Sequence, residues 1–552
     1  MMFKTAVTTP KTIHLRGEHP VDGVRPLNVP WSAARTSPTL QASAMAKVFS
    51  DRGTSIAIAT NTNHVWSMAR RVTADIRQLP KIPEQIKLVQ RFLKTEIGND
   101  FELIGMLDRG VAVHHSGLSD EIRSLIEWLA EEQALKVLCA TTTIAQGINF
   151  PVSSVFMASY KYPYGKEMSP REFWNLAGRA GRIGQDSVGV VGIARGDNEG
   201  EIKKYVNTAT GALVSRLEAL LEDATRAGHL LDLKAVIAGE QWRDFRCYIA
   251  HLVCEINDKG TVLTQTEELL RNTYGYSSLR SSHTAPDTAK ADALLKATRN
   301  YVHELSEHPE NATLADSTGF APEGVRTALL ELGKLENNLT PSDWEPASLF
   351  GSISQSILPS LIGVMLRVDE LRGSLEEIGG SGLSNKRLAQ LTSDWVNGKT
   401  LRQIAESYFK DSSGDLTLSI SRACKAIYRT LCNSGPWGMS ALSKMPTSGL
   451  DFENLSEDVK KRINALPSMI YHGVRSEPAV LLRMNSVPRS VAEPLGERFE
   501  VESGEQKMSV KSAREFLKSL TDVEWGGVAP KGGAMSGGDY REVWNRLSGE
   551  SR

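Results

Sequence analysis

The sequence is short of several things at once. Its 64 lysines and arginines are offset by 65 aspartates and glutamates, a formal net charge of -1, so no global basic field is available to hold a polyanion. Any nucleic-acid contact has to come from local groups. The five cysteines, Cys139, Cys247, Cys254, Cys424 and Cys432, are scattered with no C-x-x-C pair, and no histidine completes a zinc pattern. An odd set of this kind reads as reduced thiols, without a disulfide framework or a structural metal. Cys247 and Cys254 lie two helical turns apart and are expected to share a core face. No apolar run approaches the ~20 residues of a membrane span, and residues 1–16 have neither a continuous apolar segment nor a secretory cleavage pattern. Both absences point to the cytoplasm and away from a membrane partner. A phosphate-cradling loop, G-x-x-x-x-G-K-[ST], is also missing. The lone G-K-T is Gly398-Lys399-Thr400, with Ser393 where the leading glycine belongs and a helical pattern in place of a preceding strand. No D-E-x-H or D-E-x-D box for magnesium occurs, and neither Asp120-Glu121 nor Asp369-Glu370 has the strand and partner such a box requires.

What is present is an ordinary globular composition, 41% hydrophobic and 23% charged over 552 residues, enough for three or four domains at roughly 150 residues each. Residues 1–50 carry Pro20, Pro26, Pro30 and Pro38 and are expected to be an extended lead-in. Residues 51–200 alternate short β-branched or apolar runs (55–59, 111–113, 135–140, 154–158, 188–194) with helical stretches at 63–78 and 120–132. Ser119 is placed to cap the second of these helices, and Asp120 and Glu121 suit its positive end. Strands alternating with helices imply an α/β domain, a parallel sheet with helices on both faces. After Gly200 strand signals fade. Amphipathic helical patterns fill 201–340 and 341–500, and the tail 501–552 contains a glycine-rich stretch, 526–539, that reads as a flexible loop.

The strongest chemical signal is residues 169–189, SPREFWNLAGRAGRIGQDSVG. Ser169, Pro170 and Glu172 form a capping box with proline at the first helical position, so a helix is expected from Pro170 to about Ala180. Asn175, Arg179 and Arg182 follow at spacings of four and three and share one face if the turn continues. Two arginines stacked this way repel unless an anion lies between them, and the guanidinium fork suits phosphate oxygens. Gly178 and Gly181 remove side-chain bulk beside them. A second run, ATTTIAQGINFP at 140–151, follows a strand. Hydroxyls at a strand end suit phosphate oxygens, and Gly147 before Asn149 suits a tight turn against a ligand. A third, VAVHHSGL at 111–118, carries His114 and His115. With no carboxylate or cysteine at ligand spacing, a structural or backbone-contact role is favoured over acid–base work. The strand at 55–59 ends in Thr60, Asn61 and Thr62.

Taken in order, these runs resemble motifs of superfamily-two helicases of the Ski-like branch, which includes exosome-associated RNA helicases and archaeal and eukaryotic repair helicases. Large bacterial relatives act in repair, RNA turnover and phage defence. Residues 175–189 are similar to motif VI, Q-x-x-G-R-A-G-R followed by G-x-D-x-x-G. Gly178, Arg179, Ala180, Gly181, Arg182, Gly184, Asp186 and Gly189 match, while Asn175 replaces the glutamine with an amide one carbon shorter. Residues 141–151 are similar to motif V, T-x-T-L-A-x-G-V-N-L-P, with Thr141, Thr143, Ala145, Gly147, Asn149 and Pro151 matching. Residues 55–63 take the place of motif IV, and 114–118 resemble the H-H-[AS]-G-L segment ahead of motif V.

The resemblance implies a second RecA-like lobe. Arg179 and Arg182 would be arginine fingers, and Gly147, Asn149 and Asn175 would border the nucleotide. Thr60, Asn61, Thr141 and Thr143 would touch the backbone of single-stranded or duplex nucleic acid. ATP and Mg2+ would be held mainly by a first lobe that carries the phosphate loop and the DExH box. This sequence begins just before motif IV, so a polypeptide carrying that lobe is an expected partner, and the chain alone is expected to be inactive as an ATPase. In the branch a winged-helix domain and a helical bundle follow the lobes, and 201–500 fit that order in length and helicity. Residues 314–332 resemble a helix-turn-helix with Gly319 at the turn. Residues 469–499 resemble a final helical hairpin that approaches the strand, which makes Arg475, Arg483 and Arg489 candidate phosphate contacts. Trp437 and Trp525 suit either base stacking or core packing. Two functions stay open at this point: a motor subunit completed by another lobe, and a non-enzymatic nucleic-acid-binding or interaction protein derived from a truncated helicase.

Overall fold

A computed structural model describes residues 2–5, 8–12, 36–142, 152–159, 168, 170–177, 180, 189–194, 242–256, 258–281, 284–335, 339–379, 384–410, 415–504 and 507–549. The chain divides into two compact units that interleave along the sequence. One comprises Met1–Thr210, Gly398–Arg429 and Val474–Arg552, and the other Gly211–Asn397 and Thr430–Gly473.

The first unit opens with an antiparallel pair, β1 (Met2–Thr5) and β2 (Thr8–Thr12). The expectation of an extended lead-in fails at its end, where helix α1 (Pro38–Phe49) forms with proline at its start. Pro38 reads as a breaker in sequence, yet its missing N–H costs nothing in the first helical turn and its fixed φ favours helix entry. The sheet follows: β3 (Ser55–Ala59), then helices α2 (Thr62–Asp75), α3 (Glu84–Glu96) and α4 (Leu103–Leu107), then β4 (Val111–His114), α5 (Asp120–Glu131), β5 (Val137–Thr141), β6 (Ser154–Met157), α6 (Pro170–Ala177) and β7 (Val190–Ile193). The five strands lie in the order β4-β5-β3-β6-β7, all parallel.

Every residue of β3, β4, β5 and β6 is buried. Successive side chains on a strand point to opposite faces, so complete burial requires both faces of the sheet to be covered. This is the α/β arrangement expected from the alternating runs. Helix α2 buries Val65, Trp66, Met68, Ala69 and Val72, the 3–4 spacing of an amphipathic stripe. Helix α5 buries Ile122, Leu125, Ile126, Leu129 and Ala130, and the Ser119 side chain accepts from the Ile122 N–H at its start.

Two later segments complete this unit. In residues 398–429, Thr400 caps the short helix Leu401–Ile404 in a capping box with Gln403, so the lone G-K-T is a helix start. Trp66, fully buried, donates its indole N–H to Ser421 Oγ at 3.3 Å. Arg70 bridges Glu102 at 2.9 Å and Asp415 at 3.2 Å, and Arg402 reaches Asp100 at 2.6 Å. Residues 474–552 add the helices Glu477–Met484, Arg489–Ser503, Val510–Ser519, Asp522–Gly527 and Gly537–Ser548.

The glycine-rich stretch in this tail is largely exposed but anchored at points: Met535 and Gly537 are buried, and its ends belong to helices. Trp525 stacks on Tyr540 with ring centroids 6.5 Å apart. The Ala534 N–H bonds Thr95 Oγ1 at 3.1 Å, and Arg91 pairs with Asp539 at 2.8 Å. A Cβ on Gly537 would lie 1.7 Å from the Asp522 carbonyl oxygen. Glycine there serves close approach of two backbones, a use that composition alone does not distinguish from looseness.

The second unit is helical throughout its described residues, with helices from Arg243–Glu255 to Glu457–His472. The stretch resembling a helix-turn-helix is two helices, Pro309–Thr318 and Pro322–Gly333, with Gly319 in the left-handed region at φ 73°. Trp437 donates its N–H to the Thr318 carbonyl at 2.8 Å and packs its ring on Phe320. Trp344 and Trp395, both fully buried, bond the Ser448 and Ile470 carbonyls. These tryptophans serve the core. All five cysteines are free thiols, and no described helix is long and apolar enough to cross a membrane.

Close packing of the tail is testable. Gly537→Ala should lower the unfolding free energy by about 1–3 kcal/mol, the cost of overpacking. Gly527→Ala, where an added Cβ meets nothing within 4 Å, should stay within roughly 0.5 kcal/mol of wild type. Urea denaturation of the two variants checks the contrast, and a neutral Gly537→Ala would refute it.

Candidate nucleotide and nucleic-acid interface

The strand register brings two of the sequence motifs side by side. Ala59 at the end of β3 is the partner of Thr141 at the end of β5. The polar residues that follow β3, Thr60 and Asn61, therefore emerge next to Thr141 and Thr142 at the carboxyl edge of the sheet, about 5 Å away across the ladder. Asn61 is exposed and caps α2, its Oδ1 accepting from the Asn63 N–H at 2.7 Å. Thr60 is half-buried and Thr141 buried. The positive end of a 14-residue helix thus stands at this edge.

One described residue of the motif VI run, Ala180, lies at the other end of the sheet. Ala180, the middle residue of G-R-A-G-R, forms a parallel bridge with Val152, and Ser154, two residues on, pairs with Ser55 at the start of β3. A five-residue strand is about 17 Å long, and that length separates Ala180 from the edge that carries Thr60 and Asn61. Asn175 is exposed on α6, which is described over Pro170–Ala177. Thr143, Gly147, Asn149, Arg179 and Arg182 lie outside the described residues.

The histidine pair has a structural explanation. His114 and His115 are 2% and 0% exposed. His114 Nε2 meets Glu127 Oε1 at 2.7 Å. His115 Nδ1 accepts the Gly117 N–H at 3.1 Å, which puts the ring proton on Nε2, and the ring stands edge-on to Trp66. Burial, then the charges of His114 and Arg123, push the His115 pKa down to about 3, so the ring is neutral. A Cβ on Gly117 would sit 3.0 Å from His115 Nδ1. The spacing in H-H-S-G-L therefore reflects a tight turn closed by an imidazole acceptor. Among the described residues no group of three or more His, Cys, Asp or Glu could hold a metal ion.

Of the three C-terminal arginines expected to face a strand, Arg475 lies near Glu493 and Glu497, Arg483 is committed within the fold, and Arg489 has a backbone partner. Arg483, with 8% of its side chain exposed, forms an ion pair with Glu121 near the start of α5, and it also donates to the Val487 carbonyl. Burial works against both charges, and each partner outweighs it for the other: Glu121 is held below the usual carboxylate range and the guanidinium is raised. Arg489 is half-buried and donates to the Lys399 carbonyl at 3.0 Å. Glu96, on α3, accepts from Ser490, and burial pushes its pKa up. Composition gives no hint of this cluster, because Glu121 and Arg483 are 362 residues apart.

Two outcomes follow. Arg483→Met strands the Glu121 carboxylate in the interior and should cost about 3–5 kcal/mol of stability, read by urea denaturation. The folded His115 pKa lies below its unfolded value near 6.5, so on acidification the unfolded chain takes up this proton first. Its contribution is complete above pH 6.5 and declines as pH falls toward about 3, by at most ~1.4 kcal/mol per pH unit. His115→Gln should flatten the stability curve between roughly pH 6.5 and 5, above the carboxylate range. An unchanged slope would mean that the ring titrates normally.

Comparison with known proteins agrees with this geometry. Residues 86–184 match the helicase conserved C-terminal domain. The chain is 46% identical to the antiviral helicase SKI2 of Saccharomyces cerevisiae over 89 residues, 16% of this chain and 7% of that protein. It is 25% identical to the ATP-dependent DNA helicase Hel308 of Caldivirga maquilingensis over 407 residues, 68% of this chain and 48% of the relative. It is 34% identical to the Hachiman protein HamB of Bacillus cereus over 110 residues, 20% of this chain and 10% of that protein. The chain thus spans less than half the length of these curated relatives. In its parallel sheet, motif order and matched segments the chain is similar to the C-terminal portion of Ski-like DExH helicases of superfamily two.

Proposed function

We propose that this chain works as the second motor lobe and accessory region of an ATP-dependent helicase or translocase. Arg179 and Arg182 reach the γ-phosphate of an ATP held, with Mg2+, by the phosphate loop and DExH box of a first RecA-like lobe. Gly147, Asn149 and Asn175 border the same nucleotide. Thr60, Asn61, Thr141 and Thr143 hold the backbone of the nucleic-acid strand, where hydroxyls, an amide and the positive end of α2 favour phosphate. Arg489 remains a candidate strand contact at the rim, whereas Arg483 is committed to Glu121.

The observation that carries this reading is the separation of Ala180 from the Thr60–Thr141 edge by the length of the sheet. A motor lobe needs this: nucleotide at one end, strand at the other, and a stiff parallel sheet between them. Fingers presented across a cleft supply charge where it develops in phosphoryl transfer, an effect on the order of 10³–10⁵ in rate. The relative that covers most of this chain, of those named, is a DNA helicase, so single-stranded DNA is the first substrate to try and RNA the second.

The test is reconstitution with a polypeptide that carries a phosphate loop and a DExH box. The chain alone should show no ATPase. The mixture should hydrolyse ATP when strand is added, and Arg182→Ala should lower that rate on the order of 10³-fold or more. An inactive wild-type mixture would count against the motor, and an Arg182→Ala variant as fast as wild type would remove the finger role.

A further inference from the structure

The hairpin Glu477–Met484 and Arg489–Ser503 turns Arg483 toward the lobe. Arg483 is held by Glu121 and the Val487 carbonyl. At the N-terminus of the second helix, Ser490 offers both its hydroxyl and its N–H to Glu96, and Arg489 donates to the Lys399 carbonyl. Tyr540 Oη lies 3.3 Å from Ser490 Oγ, and Trp544 donates its indole N–H to the Asn485 carbonyl at 2.9 Å. The cavity at this junction, lined by Phe92, Glu96, Glu121, Tyr428 and Arg489 among others, is about 10 Å³, room for roughly one water. This is a joint between protein elements, too small to take a ligand.

Its partner on the lobe is well chosen. Glu121 sits two residues after the Ser119 cap, and that cap ends the turn in which His115 closes on Gly117 after β4. A path of contacts runs from the edge strand β4 through the Ser119 cap to the hairpin. We propose that Arg483 is a positioning residue that fixes the hairpin to the helicase lobe through Glu121, so that lobe and hairpin move as one body when the motor closes. The mechanical part rests on the motor reading above. The attachment itself does not.

The test has two arms. On the full chain alone, native-state hydrogen exchange in low urea should show the amides of 477–503 opening together with those of α3 and α5. The pair Glu121→Gln with Arg483→Met, which removes both charges and leaves none stranded, should keep the fold but let the hairpin open separately. In the reconstituted motor, the same double variant should unwind at least ~5-fold fewer base pairs per ATP hydrolysed, a ratio that a merely structural loss does not move. Independent opening of the hairpin in wild type overturns the joint, whatever the motor does. So does a wild-type ratio of unwinding to hydrolysis in the double variant. Absence of ATPase in the wild-type mixture bears on the motor reading alone, and the exchange arm still decides the attachment.

Discussion

A carboxylate taken out of water needs a cation against it, and Glu121 has been taken out of water. It stands in the first turn of α5, where its charge suits the helix end but its surroundings are the helix α3, Tyr428 and the C-terminal hairpin. The cation is Arg483, 362 residues downstream. This requirement brings the end of the chain back to a lobe that was complete as a sheet near residue 193. Around it gather contacts that a solvent-exposed tail would not make: Arg91 with Asp539, Trp544 with the Asn485 carbonyl, and Arg546 over the face of Trp128 at 4.8 Å. The ion pair and the cation–ring contact among these would not hold the tail alone. The buried pair fixes the register in which the others can form.

The same logic orders the sheet. A strand buried on both faces has no polar surface except at its ends, so the groups that meet solvent or ligand collect there. At the carboxyl edge they are Thr60 and Asn61 beside Thr141 and Thr142. Beyond the amino end of β6, Val152 bridges Ala180 on the opposite side. Central strands that differ little in length keep these edges parallel, and a shift at one is carried to the other by packed side chains that yield little.

Legibility in the sequence followed the range of the interactions. The strand at 55–59 could be read to the residue, and Ser119 could be named as a cap, because alternation and capping are decided within a few residues. Pro38 and Gly537 misled for a related reason. Both have local meanings, breaker and loosener, that depend on a neighbour unseen in sequence: a helix that begins at the proline, and a carbonyl at Asp522 that leaves no room for a Cβ. Of the candidate site, the order of the motifs and the adjacency of Thr60 to Thr141 follow from a parallel fold. The fate of Arg483 does not, since an exposed arginine and a paired one look alike until the carboxylate opposite is known.

That ambiguity bears on how a neutral chain can handle a polyanion. With 64 basic and 65 acidic side chains, attraction at a distance is weak, and arginines tied to partners inside the fold reduce the free positive charge further. On the proposed reading, binding would rest on short-range groups, the hydroxyls at strand ends and the cap of α2. Such contacts demand geometry more than field. A strand held by a diffuse basic surface would be slow to release, whereas one held by a few directional hydrogen bonds at a single sheet edge lets go when that edge moves. Near-neutrality and a sheet buried on both faces are thus compatible with the proposed grip at a single sheet edge.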